Sequence, residues 1–181
     1  MARFLHKLTK QFREDDGTGQ ARENEIRNPD LSAVAEVPQA RWVIDGETVR
    51  APNEQETAAF DAADLQAAKV AKCRAIDSKS AQLIQTAAVV VNGESISASQ
   101  NAQINMIALK TKQVAGELTY PAAVSSTDGG EYQIADEADF IRVSNLVFAY
   151  VKNTLDAGRS LRAQVLACTT LAGVAAVEDN R

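Results

Sequence analysis

The side chains that most often carry catalysis are sparse in this sequence. His6 is the only histidine in 181 residues, so one chain cannot build a Ser-His-Asp or Cys-His arrangement around any other histidine. Cys73 and Cys168 are nearly a hundred positions apart and lack the close spacing of zinc ligands. We expect both to be buried or half-buried thiols rather than a disulfide, because nothing in the sequence indicates an oxidising compartment.

Acidic side chains occur in groups, as glycoside hydrolases and calcium sites require. The groups are Asp15 with Asp16, Asp61 with Asp64, and Asp136 with Glu137 and Asp139. A loop, a solvated helix face and a helix N-terminus explain them without chemistry, because negative charge is favoured at a helix N-terminus. Residues 128–131 lack the ligand density of a calcium loop, and residues 17–19 do not match a phosphate loop. The sequence predicts a protein without enzymatic activity, bound cofactor or metal.

Composition narrows the classes of partner. The net charge is −5 and the pI is about 5.0, which argues against nucleic acid as the main partner. No apolar run approaches the length that spans a membrane, and the N-terminus lacks the apolar segment of a signal peptide. Aromatic residues make up only 5% of the chain, so the hydrophobic core is expected to be modest.

A long helix is predicted over residues 53–86, and it organises the rest of the chain. Asn53 and Glu56 have the spacing of a capping box, Pro52 precedes them, and residues 54–85 contain neither glycine nor proline. The helix would be roughly 45–50 Å long. Two interpretations remain open: a stalk that associates with copies of itself, or a solvated connector held by alanine propensity. The candidate self-association residues are Phe60, Leu65, Val70, Cys73 and Ile76.

Residues 1–52 are interpreted as an N-terminal arm followed by a first β-hairpin. Residues 1–40 read as irregular, and such an arm has too few large apolar residues to fold alone, so we expect it to dock on the body or on a neighbouring protein. A hairpin over residues 41–50 is predicted from Asp45-Gly46, with Trp42 packing inside it. The candidate docking residues are Phe4, Leu5, Leu8, Phe12, Leu31 and Trp42.

Residues 87–181 are predicted to form a C-terminal α+β module. Asn92-Gly93 and Asp128-Gly129-Gly130 indicate two further hairpins. Ser97 is expected to cap a helix that ends near residue 118, and Asp136 to cap a second helix that ends at Gly158. Ser160 and Thr170 would each cap a shorter helix. The second helix carries an apolar stripe of Phe140, Val143, Val147, Tyr150, Val151 and Leu155.

Several segments occur in an order that resembles a known family. The segments are Ala75-Ile76-Asp77 through Leu83-Ile84, Asn92-Gly93 with Ser95-Ile96-Ser97, Ala102-Gln103-Ile104-Asn105, Leu118-Thr119-Tyr120-Pro121, Tyr132-Gln133-Ile134, Gly158-Arg159-Ser160-Leu161 and Asp179-Asn180-Arg181. Over about residues 68–181 they resemble an uncharacterised domain that recurs in tail-fibre and tail-associated proteins of tailed bacteriophages. The upstream segments 28–32, 37–38 and 42–46 resemble the N-terminal part of small phage proteins with that domain. The chain departs from the family at Thr86-Ala87-Ala88-Val89, where an aromatic strand is expected.

The resemblance implies a location rather than an activity. It indicates a non-enzymatic virion component in the tail, baseplate or fibre region that contacts other virion proteins and is assembled in the host cytoplasm. The chain would act as a homo-oligomer, with a trimer among the states that fit. Two alternatives remain: a tail-fibre assembly chaperone absent from the finished particle, and a virion-surface module that binds the host through Trp42, Tyr120 and Tyr132. The predicted fold is α+β, with one long helix, three short β-hairpins and a small C-terminal helical module.

Overall fold

The computed structural model describes residues 2–15, 17 and 19–181. It is a mixed α+β structure, as the sequence predicts. The chain divides into two compact units, Met1–Gln66 and Ala67–Arg181. The predicted long helix is present as α1, Glu54–Thr86, and it contributes residues to both units.

The N-terminal residues form a sheet rather than an irregular arm. Strands β1 (Arg3–His6), β2 (Phe12–Glu14) and β3 (Glu25–Arg27) pair antiparallel in the order β2-β1-β3. Leu5 of β1 lies opposite Ile26 of β3, and both are buried. The interpretation of residues 1–40 as irregular is therefore wrong. Strands of three or four residues are too short for an alternating apolar pattern to be recognised in the sequence.

Arginine side chains hold this sheet together through ring contacts and one ion pair. The guanidinium of Arg13 lies 4.5 Å from the Phe4 ring centroid, and that of Arg3 lies 4.4 Å from the Phe12 centroid. Arg13 also donates two hydrogen bonds to the Glu25 carboxylate, at 2.7 and 3.0 Å. These bonds, with one from the Arg22 backbone amide, lower the pKa of Glu25 to about 2. The carboxylate of Glu25 therefore stays ionised over the physiological range.

The predicted first hairpin is present as β4 (Val43–Asp45) and β5 (Thr48–Arg50). Asp45 pairs with Thr48, so the two turn residues are Gly46 and Glu47, one position later than expected. Short 3-10 turns at Ser32–Val34 and Gln39–Arg41 precede it. The indole of Trp42 is buried and donates a 2.8 Å hydrogen bond to the Val37 carbonyl. The core of this unit contains Leu5, Ile26, Val34, Trp42 and Val49.

Helix α1 begins with the predicted capping box. The Glu56 amide donates to the Asn53 side chain at 2.9 Å, and the Asn53 amide donates to the Glu56 carboxylate at 2.8 Å. Arg50 forms two further hydrogen bonds with Glu56, which lower the pKa of Glu56 to about 2. One carboxylate therefore joins the end of β5 to the start of the helix.

The second unit contains the two other predicted hairpins. Strands β6 (Ala88–Val91) and β7 (Glu94–Ser97) are joined by Asn92 and Gly93, which have φ angles of 53° and 85° and so adopt the left-handed conformation of a type I′ turn. Strands β8 (Ala122–Ser125) and β9 (Glu131–Ile134) form the other hairpin. The Thr127 amide donates to the Ser95 carbonyl at 2.9 Å, so the two hairpins lie next to each other.

Three helices complete this unit: α2 (Gln100–Val114), α3 (Glu137–Ala167) and α4 (Leu171–Ala176). Asp136 and Thr170 cap α3 and α4 as predicted, but Ser99 rather than Ser97 caps α2. Ser97 is the last residue of β7 and pairs with Ala88, so its backbone belongs to the hairpin. The core of the unit is formed by residues of both hairpins, α2 and α3: Ala87, Val89, Val91, Ile96, Met106, Val124, Tyr132, Ile134, Phe140, Val143 and Val147.

Helix α3 does not end at Gly158, as the sequence analysis expected, and Ser160 does not begin a new helix. Gly158 is buried within a continuous helix of 31 residues. A Cβ atom at this position would lie 2.7 Å from Ser80 Oγ of α1 and 2.9 Å from Arg181 Nη1. The glycine is therefore needed for close approach between chain segments and not for a helix stop.

We predict that Gly158→Ala destabilises the protein. In an exposed helix the same change would stabilise by about 1 kcal/mol, but here the new methyl group must displace Ser80 or Arg181, at a cost of about 1–3 kcal/mol. Urea unfolding followed by circular dichroism measures the difference. Exposed Ser160→Ala in the same helix is the matched control and should be neutral or slightly stabilising. A Gly158→Ala variant at least as stable as the wild type would contradict this explanation of the glycine.

Candidate functional site

Most of the predicted docking residues form the interior of the first unit. Phe4 and Leu5 are fully buried, Trp42 is buried, and Phe12 and Leu31 are half-buried against the core. Leu8 is the exception, with 77% of its surface exposed. The apolar side chains of this segment therefore pack mainly on one another within the first unit.

The five predicted self-association residues do not share one exposed stripe. Cys73 and Ile76 are buried within the second unit, so they are not accessible to another chain. Phe60 and Leu65 are half-buried, and Val70 is exposed. The predicted self-association surface of α1 therefore keeps three accessible members, Phe60, Leu65 and Val70.

The second unit contains a groove of about 760 Å³ between the end of α1, the start of α2 and the middle of α3. Val151 and Leu155 of α3 contribute apolar surface. The side chains of four glutamines from α1 and α2 line it: Gln82, Gln85, Gln100 and Gln103. Asp77 and Arg162 also line the groove and form an ion pair of 3.1 Å. Apolar surface beside a few polar groups is the general character of a ligand pocket. The charged groups that line it, Asp77, Arg159 and Arg162, are in ion pairs.

An exposed apolar surface lies beside this groove on α2 and α3. Ile104, Ile107 and Val114 of α2 each have more than half of their surface exposed. Ile107 and Val114 line a cavity of about 310 Å³ together with Phe148 of α3. Phe148 also lines a second cavity, of about 190 Å³, with Ile141. Large apolar side chains that share cavities at a surface are typical of a protein interaction site.

A polar network joins β9, the β6–β7 turn and the start of α3, with Tyr132 and Asp139 buried at its centre and Asn92 and Arg142 exposed. The Tyr132 hydroxyl donates to the Asp139 carboxylate at 3.0 Å and accepts from Asn92 Nδ2 at 3.1 Å. Arg142 donates to Asp139 at 2.6 Å and to Asn92 Oδ1 at 2.9 Å. Every member thus has a partner within the network.

The ionisation of this network does not fit acid–base catalysis. Burial and the hydrogen bond to Asp139 raise the pKa of Tyr132, so it stays protonated. Burial alone would raise the pKa of Asp139, but hydrogen bonds from Arg142, the Ala135 amide and Tyr132 outweigh it and hold the pKa below its ordinary value. Neither group is poised to exchange a proton near neutral pH.

A second polar cluster surrounds the Arg181 guanidinium. It donates to Ser80 Oγ at 2.8 Å and to the Thr154 carbonyl at 3.0 Å, and so joins α1 to α3. Arg181 forms a bidentate pair with Asp179, which lowers the pKa of Asp179 to about 2. The cluster is a structural link, because each of these bonds satisfies a group of the chain itself.

The remaining candidates for chemistry are the two cysteines and the turn that contains Asp128. Cys73 and Cys168 are free thiols, one buried and one half-buried, as predicted. Asp128 Oδ1 accepts from the Gly130 amide at 3.0 Å within its turn. Among the described residues, no group of three His, Cys, Asp or Glu side chains could hold a metal ion. In the same part of the chain, no helix is long and apolar enough to cross a membrane.

Comparison of the chain with models of known protein families, with curated proteins and with solved structures gave no match.

Sequence reasoning missed the groove, the α2–α3 surface and both polar clusters. Each combines residues from segments that are far apart in the sequence, such as Ser80 with Arg181 and Asn92 with Arg142. The exposure of Leu155 was missed as well, since this member of the predicted apolar stripe of α3 has 40% of its surface exposed.

We predict that Tyr132→Phe destabilises the protein by about 1–3 kcal/mol, because Asp139 and Asn92 lose a buried partner. Tyr120→Phe is the matched control. The Tyr120 hydroxyl is buried with no hydrogen-bond partner in the described part of the chain, so its removal should be neutral or stabilising. Urea unfolding of the two variants gives the comparison. Equal effects of the two substitutions would show that the network contributes nothing.

Acid should weaken the second unit through Asp179. Its pKa is lowered to about 2 from 3.8, so its contribution to stability is complete above about pH 4 and is lost as the pH falls through about 2. We predict that Asp179→Asn is less stable than the wild type at pH 6 and that the difference shrinks between pH 4 and pH 2. The free energy of unfolding at several pH values measures this. A constant difference across the range would contradict the assignment.

Proposed function

We propose that this chain is a non-enzymatic structural component of a tailed-bacteriophage virion, located in the tail, baseplate or fibre region. The resemblance of residues 68–181 to the tail-associated domain supports the location. The chain would be assembled in the host cytoplasm with other virion proteins as its partners.

The observation that supports the non-enzymatic role is that buried polar groups are hydrogen-bonded within the chain, while large apolar side chains are exposed at the surface. The buried polar groups Glu25, Ser80 and Asp139 are occupied in hydrogen bonds that hold the fold. Meanwhile Ile107, Val114 and other large apolar side chains of the helices are uncovered. Exposed apolar surface of this kind, beside buried polar groups that stabilise the fold itself, is suited to assembly with other proteins.

Docking would use the folded first unit rather than a loose arm. In the order β2-β1-β3 the strands β2 and β3 are the outer strands of the sheet, and outer strands are able to pair with a strand of another chain. Exposed Leu8 lies two residues after the end of β1. Self-association along α1 would use Phe60, Leu65 and Val70, since Cys73 and Ile76 are buried.

The exposed surface bears differently on the two alternative functions, the host-binding module and the assembly chaperone. Trp42 and Tyr132 are buried, so neither offers a ring face for stacking against a host sugar, and this disfavours the host-binding module. An assembly chaperone would need the same uncovered apolar surface as a structural protein. It therefore remains the alternative to test.

Quantitative mass spectrometry of purified mature particles tests the proposal. We expect the chain at a fixed copy number relative to the major tail proteins. A multiple of three or six would place it around the tail axis. Infected-cell lysate is the matched control, because it shows whether the protein is made in quantity. Abundance in the lysate together with absence from the particle would overturn the structural role in favour of the chaperone.

A further inference from the structure

We propose that Asn92 is a deamidation site whose reaction is held back by the folded β6–β7 turn and by the hydrogen bonds that Tyr132 and Arg142 form with its carboxamide. Asn92-Gly93 is the only Asn-Gly pair in the sequence. A glycine after asparagine favours this reaction, because a residue without a side chain leaves its backbone nitrogen open to the neighbouring carboxamide. The inference concerns the chemistry of the chain itself and does not depend on a place in the virion.

The reaction is intramolecular and takes up only water. The backbone nitrogen of Gly93 attacks Cγ of Asn92, and a bond forms between these two atoms. The bond from Cγ to Nδ2 breaks, and the proton lost by the Gly93 nitrogen leaves with Nδ2 as ammonia. Water then opens the cyclic imide at either of its carbonyl carbons. The product is an aspartate, or an isoaspartate in which the main chain continues through the former side chain.

The reacting groups are accessible at the surface. Asn92 and Gly93 are both exposed, and a Cβ atom on Gly93 would meet nothing within 4 Å. The residue pair that closes the turn is Val91 with Glu94, so the Gly93 amide takes no part in strand pairing. Neither burial nor strand pairing therefore protects this site, and any protection comes from the conformation of the turn and from the side-chain contacts of Asn92.

The conformation of the turn keeps the two reacting atoms apart. Asn92 and Gly93 have φ angles of 53° and 85°, as in a type I′ turn, whose first turn residue has a ψ angle of about 30°. At this ψ angle the nitrogen of Gly93 points away from the side chain of Asn92. Ring closure requires that nitrogen to lie nearly eclipsed with Cβ about the Cα–C bond. The turn must therefore open before the reaction takes place.

The polar network holds the carboxamide as well. Asn92 Nδ2 donates to the Tyr132 hydroxyl at 3.1 Å, and Arg142 donates to Asn92 Oδ1 at 2.9 Å. Tyr132 and Arg142 are themselves held by the buried carboxylate of Asp139. Rotation of the carboxamide toward Gly93 breaks both of its bonds. Loss of either partner should therefore raise the population of the open, reactive turn.

Mass spectrometry of the full chain during incubation in mildly alkaline buffer measures the rate, because replacement of the amide by an acid changes the mass. Peptide mapping then assigns the change to Asn92. We expect the folded wild type to react about tenfold more slowly than the chain unfolded in guanidinium chloride. Tyr132→Phe and Arg142→Ala should each accelerate the reaction of the folded chain about fivefold, the factor expected from the loss of one hydrogen bond.

Gly158→Ala is the matched control, since it separates opening of the turn from unfolding of the whole unit. This substitution is expected to destabilise the same unit as Tyr132→Phe does, but it lies in α3 and leaves the contacts of Asn92 unchanged. It should react at the rate of the wild type. Wild-type protein in guanidinium chloride too dilute to unfold it serves the same purpose and should also keep its rate.

Three results would overturn the proposal. The first is a folded wild type that deamidates at Asn92 as fast as the unfolded chain, which would show that the fold gives no protection. The second is equal acceleration by Gly158→Ala and Tyr132→Phe, which would assign the reaction to unfolding of the whole unit. The third is a slower reaction in Arg142→Ala, which would show that the guanidinium activates the carboxamide instead of holding it.

Discussion

The close approach of α1 and α3 at Gly158 is the constraint on which the second unit depends. Because Gly158 has no side chain, Ser80 and the Arg181 guanidinium occupy the space that a Cβ would fill. Arg181 thereby reaches the backbone carbonyls of Ile76 and Thr154, one on each helix. The two helices run antiparallel, because Asp77 pairs with Arg162 and Lys69, earlier in α1, donates to the carbonyl of Leu166, later in α3. Because α1 contacts α3 at this point, a groove remains between the end of α1, the start of α2 and the middle of α3.

Local signals in the sequence predicted most of the elements but few of their contacts. The capping box of α1, the Asn92-Gly93 turn and the Asp136 cap depend on residues within a few positions, and all three were recognised correctly. Gly158 was misread because glycine is a helix stop when only local propensity is considered. Its actual role depends on Ser80 and Arg181, which are far away in sequence. The N-terminal sheet was missed for a related reason, since it pairs Leu5 with Ile26, which lies 21 positions later in the sequence.

The same distinction explains what could be predicted of the candidate site. Phe4, Leu5 and Trp42 were recognised as the apolar residues of the first segment, but nothing local indicates whether apolar residues face their own chain or another one. Their burial inside the unit follows from the three-stranded sheet and its neighbouring hairpin. Conversely, Leu155 was assigned to the core because the helical stripe containing it begins with buried residues. The buried face of α3 continues instead through Thr154, Gly158 and Val165, and Leu155 lies next to that face rather than on it.

Helix α3 consequently has two kinds of partner to satisfy. Its first half packs on two hairpins through Phe140, Val143 and Val147, and its second half is held to α1 through Gly158 and Arg162. Phe148 and Leu155 lie beside these contacts. Phe148 shares a cavity with Ile107 and Val114 of α2, and Leu155 lines the groove between α3 and α1. Both side chains thus lie at the borders between helices of the unit, where neighbouring helices cover most of them and leave 39% and 40% of their surface exposed.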